Sequence, residues 1–166
     1  MFFCRAIVFM GMLSSLAFAA APVTSVPPVI DGFTSIISVL SSPVTFGVLI
    51  GELQTSKVSS LLDKHTGDKK ITLLAPTDKA LNDFGQLGAL RGTPLLEDFL
   101  KFHILEGTWS RKRLRSNRAA KTVGGKALQT KDLGKILYSI EVDNGMIHVI
   151  EKVVLHPDVK KKLNIK

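Results

Sequence analysis

Apolar positions recur at helical spacing through the first part of the chain and at strand spacing through the last part, and the two regimes meet at residues 71–84. Thr34 to Leu40 sets Ile36, Ile37 and Leu40 on one side of a helix. Ser42-Pro43 supplies an N-cap with proline at the first helical position, and Phe46, Leu49, Ile50 and Leu53 then form a stripe of 3.6-residue period. After a break at 54–56, Val58, Leu61 and Leu62 predict a further short helix, ended by the polar turn His65-Thr66-Gly67-Asp68.

The segment Ile71-Thr72-Leu73-Leu74-Ala75 reads as a short strand buried on both faces and stopped by the following Pro76, which lacks a backbone donor and disfavours helical geometry at Ala75. Thr77 or Asp78 caps the helix that follows, with Ala80, Leu81 and Phe84 on its inner side. Gly85 to Gly92 reads as a loop, and Thr93-Pro94 opens a helix running to about Phe102. His103 to Gly107 is a short extended piece. Thr122 to Leu128 predicts a hairpin around Gly124-Gly125. Lys135–Val142 and Met146–Leu155 read as strands joined by Asp143-Asn144-Gly145, a hairpin signal in which both Asn144 and Gly145 accept positive φ.

Residues 1–21 have the form of a removable export signal: Arg5 ahead of a short apolar run to Phe18, then Ala17-Phe18-Ala19 as a small-x-small cleavage site. The run is short for a membrane span. Residues 22–33, with Pro22, Pro27 and Pro28, form an extended lead-in. The domain is expected over 34–157, followed by a basic tail at 158–166. The one cysteine, Cys4, lies in the signal, so the mature chain has no internal disulfide and depends on its core. Without residues 1–21, whose one charge is Arg5, the chain keeps 21 basic and 14 acidic residues, a net +7. That balance favours acidic partners such as acidic polysaccharides or an anionic membrane surface; export argues against nucleic acid.

Three stretches resemble the fasciclin domain family: the 71–84 hinge, Phe102-His103-Ile104-Leu105-Glu106-Gly107, which is similar to the family's Tyr-His-x-Leu-x-Gly, and Asn144 to Leu155. The likeness runs from about Thr34 to Pro157 in the family's order and spacing. It implies an α+β fold, a fasciclin-type twisted β-wedge with helices packed along it, in extracellular or cell-surface proteins of adhesion and matrix assembly that share no catalytic activity. It also makes Pro76, Thr77, Asp78, His103, Asn144, Gly145 and His148 motif residues of structural role. Phe102 replaces the tyrosine linked to integrin binding in some animal members, and Leu137-Tyr138-Ser139-Ile140-Glu141 lacks the Asn-Lys-Asp-Ile-Leu type of sequence, which argues against integrin as partner. The stretch 124–144 is shorter than usual for the family, implying a missing or merged strand.

Candidate chemistry changes this picture little. His103 and His148 sit among apolar neighbours and read as buried histidines bonded to backbone; His65 and His156, at element ends, are expected to be exposed. No cysteine remains for zinc and no His-x-x-x-His spacing occurs, so no metal, cofactor or catalytic residue is assigned. Asp78 follows a strand and proline, a helix-cap position before a general base.

One segment stands apart. Between 111 and 121 the chain carries Arg111, Lys112, Arg113, Arg115, Arg118 and Lys121 and no acid, with Trp109 just before and Leu114 inside. Arginine forks match sulfate, carboxylate or phosphate, so these six residues form a candidate polyanion site; a solvated loop or short helix serving solubility is the alternative. The sequence therefore predicts a secreted adhesion or matrix-interaction module that binds an extracellular protein or acidic polysaccharide. The alternatives are a protein-binding module using an apolar patch, or a small secreted enzyme or ligand carrier.

Overall fold

The computed structural model describes residues 35–40, 46–64 and 70–165. The export signal, the lead-in, Ser42-Pro43 and the turn containing His65 lie outside the described residues.

The central strand is β1 (Ile71–Pro76), with all six residues buried. On one side it pairs antiparallel with β2 (Ile104–Glu106), and on the other it runs parallel to β6 (Gly145–Ile150), which forms an antiparallel hairpin with β5 (Ile136–Val142). The sheet order is β2-β1-β6-β5, which leaves β5 at an edge. A second, two-stranded sheet of β3 (Ala119–Lys121) and β4 (Ala127–Gln129) adjoins β2 through a bridge between Leu105 and Thr122.

The helices α1 (Ile36–Leu40), α2 (Gly47–Thr55), α3 (Ser59–Lys64), α4 (Asp78–Phe84), α5 (Leu87–Leu90), α6 (Pro94–Phe102), α7 (Arg111–Ser116) and α8 (Pro157–Lys162) pack along this sheet. The result is a mixed α+β domain. Among the described residues no helix is long and apolar enough to cross a membrane.

Alternation along β1 divides the core. Ile71, Leu73 and Ala75 join the larger cluster with Leu40, Leu49, Leu62, Phe99 and Ile147. Leu74 faces a smaller cluster of Phe102, Leu105, Trp109, Leu114, Leu128, Leu133, Ile150 and Val154. A strand covered on both faces needs apolar residues at every position, and Thr72 is the exception that this strand accommodates. Its hydroxyl donates to the Gly107 carbonyl at 2.8 Å and accepts from the Trp109 N–H at 2.8 Å.

Several details differ from the sequence-based expectation. The 85–92 stretch is not a plain loop, because Leu87 and Leu90 are buried on the short helix α5. Pro76 lies inside β1, at the last rung opposite Ile150. There β6 ends rather than continuing to Leu155, because β1 turns into α4 and offers no further partner; the Val154 N–H bonds instead to the ring of His103 at 3.1 Å. The basic tail begins as α8, with Pro157 at its first turn, Val159 fully buried and Lys160, Lys161 and Lys162 at its C-terminal end, where the helix dipole favours cations. His156 is buried, not exposed: its Nδ1 accepts from the Asp158 N–H and its ring meets Phe102 edge-on.

Candidate functional site

The basic segment is built as a short helix fixed at both ends. Ser110 caps α7, its hydroxyl accepting from the Arg113 N–H at 3.2 Å, and Leu114 sinks into the smaller core cluster. Below the helix Trp109 is buried, with its indole N–H donated to the Glu106 carbonyl at 2.8 Å.

The six cations divide into two groups. Arg113 lies 4.1 Å over the Trp109 ring and donates to the Thr108 carbonyl, while Lys121 pairs with Glu106 at 2.8 Å. Arg111 is half-buried and donates from its terminal nitrogen to the Ile136 carbonyl at 2.8 Å. Its buried Nε–H has no acceptor among the described residues. By contrast Lys112, Arg115 and Arg118 stand exposed with no ion pair among the described residues.

The fold adds cations that lie outside the 111–121 segment. A hollow of about 580 Å³ separates α7 from the 3-10 turn Thr130–Leu133 and the start of β5, and Arg111, Arg115, Lys131 and Lys135 line it. A second hollow of about 350 Å³ is lined by Arg115, Arg118, Thr130 and Lys131 among others. No acidic side chain lines either one. Lys131 and Lys135 escape a reading of the sequence in contiguous runs; their signal lies in the tertiary return of the chain after the β3–β4 hairpin.

The motif residues are placed as internal braces. His103 Nδ1–H donates to the Phe99 carbonyl at 2.8 Å and its Nε2 accepts from Val154, while burial holds its pKa down at about 4. His148 donates from Nε2 to the Trp109 carbonyl at 2.6 Å and shares a 2.7 Å hydrogen bond with the Ser139 hydroxyl at Nδ1. Burial lowers its pKa as well, and the charge of Arg111 acts in the same direction. Thr77 caps α4 by accepting from the Ala80 N–H, whereas Asp78 accepts from the N–H groups of Gly47 and Val48 at 3.1 and 2.9 Å, capping α2 across the domain.

Asn144 does not take the positive φ expected of it. It is buried, accepting from the Ile36 N–H at 3.0 Å and donating to the Leu62 carbonyl, so it ties α1 to α3. Among the described residues no group of three or more His, Cys, Asp or Glu is placed to hold a metal ion.

An uncharacterized protein of Synechocystis sp. is 26% identical over 132 residues, covering 73% of this chain and 97% of that protein. The structure resembles a FAS1 domain pair from the insect cell adhesion molecule Fasciclin I, with a TM-score of 0.47 and 18% identity. That match covers 72% of this chain and 49% of the pair, so the chain spans about half the pair's length. The fasciclin domain model matches residues 45–156, well over half of the sequence, and the chain belongs to the fasciclin domain family.

Proposed function

We propose that this chain is exported and acts outside the cell as an adhesion or matrix-interaction module, binding an acidic polysaccharide through the α7 face. Fasciclin domains are adhesion and interaction modules, which sets the class. The observation that carries the polyanion reading is the exposed trio of Lys112 and Arg115 on a helix seated by Leu114 and Trp109, and Arg118 in the turn just after it. A rigid base lowers the entropy lost when long cationic side chains engage anionic groups. Binding rather than catalysis fits the two core histidines, whose ring nitrogens are all engaged in hydrogen bonds. A second reading, docking of a protein partner, draws on exposed Leu137 beside a mostly apolar hollow of about 720 Å³ between α4 and β5.

The test is retention on immobilised heparin across a salt series, comparing the protein with a variant carrying Lys112→Ser, Arg115→Ser and Arg118→Ser. Retention that falls with salt and is largely lost in the variant supports the reading. Equal retention of both proteins overturns it in favour of diffuse charge.

A further inference from the structure

We infer that the polyanion site is a two-walled track for a linear chain, with Lys131 and Lys135 as its second wall; this rests on the α7 reading above. Between 111 and 135 the sequence holds nine basic residues and a single acid, Asp132. The fold brings five of these cations to one surface from two directions. Arg111, Arg115 and Arg118 come from α7 and the turn after it, and Lys131 and Lys135 from the 3-10 turn and the approach to β5.

The two hollows share Arg115, Thr130 and Lys131, so they adjoin rather than forming separate sites. Adjoining hollows with cations on both sides suit successive anionic groups of one chain better than a single small anion. A compact anion needs convergent donors at one point, whereas here Lys135 lines only the first hollow and Arg118 only the second. Arg111 adds a fixed positive charge to the first hollow, its guanidinium held there by the bond to the Ile136 carbonyl. The partner chemistry is a linear sulfated or carboxylated polysaccharide.

The test is calorimetric binding of heparin oligosaccharides of increasing length to the full chain at 0.15 M salt. It uses the protein itself, the variant Lys131→Ala with Lys135→Ala, and a charge-matched control with Lys57→Ala and Lys70→Ala, two exposed lysines outside the hollows. Lys131 and Lys135 are themselves exposed, so folding of the variant is checked by thermal melting. Losing two contacts of surface ion-pair strength weakens binding about ten-fold, while the control changes it less than about two-fold. Affinity that rises steeply with oligosaccharide length supports the track.

If the Lys131/Lys135 variant binds as well as its control, while loss of Lys112, Arg115 and Arg118 abolishes binding, the α7 reading stands and the track is wrong. Disaccharides that bind as tightly as longer chains also overturn the track, pointing to a point site. Displacement by polyglutamate as effective as by heparin overturns the polysaccharide assignment in favour of an acidic protein. Failure of every variant to alter binding removes the α7 reading itself.

Discussion

The imidazole of His148 donates to the carbonyl of Trp109 across 2.6 Å, joining the centre of the sheet to the residue on which α7 rests. A carbonyl can only accept, so this bond places the proton on Nε2. In the neutral ring, Nδ1 then accepts from the Ser139 hydroxyl. The seat of the basic helix is therefore tied to β6 through a histidine whose neutral form burial favours.

Acid should weaken the domain. His103 is fully buried and neutral, with its pKa lowered from 6.5 to about 4, and His148 is lowered in the same direction. Between those values the unfolded chain binds protons that the folded chain refuses, so stability is complete above about pH 6.5 and declines as pH falls toward 4. The contribution of His103 over that window is about 3 kcal/mol. Urea midpoints at pH 7 and pH 4.5 measure it. A His103→Gln variant that keeps the full pH dependence would assign the effect to other groups.

Gly145→Ala should prevent normal folding. Its φ is +155, and a Cβ built there lies 1.8 Å from the Ile71 carbonyl oxygen, a rigid backbone atom of the neighbouring strand. Relief requires the β1–β6 pairing to open, a loss of at least about 4 kcal/mol. Soluble yield and melting temperature test this, and a melt like that of the parent would contradict the Ile71–Gly145 register.

Asp78→Ala should destabilise α2 although Asp78 belongs to α4. Removal of its carboxylate leaves the Gly47 and Val48 N–H groups uncapped, at a cost of about 1–2 kcal/mol. Asp78→Asn keeps one acceptor oxygen and should lose less. Denaturant unfolding of both variants provides the ranking, and an equal loss in both would assign the effect to charge instead of capping.

Trp109 is the single tryptophan of the chain, and its indole lies directly beneath Arg113. Arg113→Ala should uncover the ring, shift its emission to longer wavelength and lower stability by about 1 kcal/mol. The same emission should change on titration with heparin. A spectrum indifferent to saturating heparin would place the ligand away from α7.

What could be read from the sequence was what depends on local pattern. Ile71–Ala75 as a doubly buried strand, the helix after Thr77 and the tucked Leu114 all follow from spacing and capping residues. Asn144 was misleading for a physical reason. Asn-Gly beside alternating apolar residues signals a tight turn, yet here the amide reaches Ile36 and Leu62, partners that only the tertiary fold brings near. Asp78 shows the same limit, since its role as a cap was legible but the identity of the capped helix was not. Lys131 and Lys135 belong to the candidate site only because the β3–β4 hairpin returns the chain toward α7, a closure that no linear run of charge displays.

The register of β1 also sets the order of assembly. Ile71 neighbours Gly145 in a parallel ladder, so residues 72–144 form the loop that must close before the sheet exists. Such long-range pairing slows folding, because chain entropy is lost before the contacts that offset it are made. The six residues of the central strand are thus synthesised early and shielded late. Until the last third of the domain is available, Ile71, Leu73 and Leu74 remain open to misdirected contacts, and the yield of native protein depends on how quickly β6 reaches them.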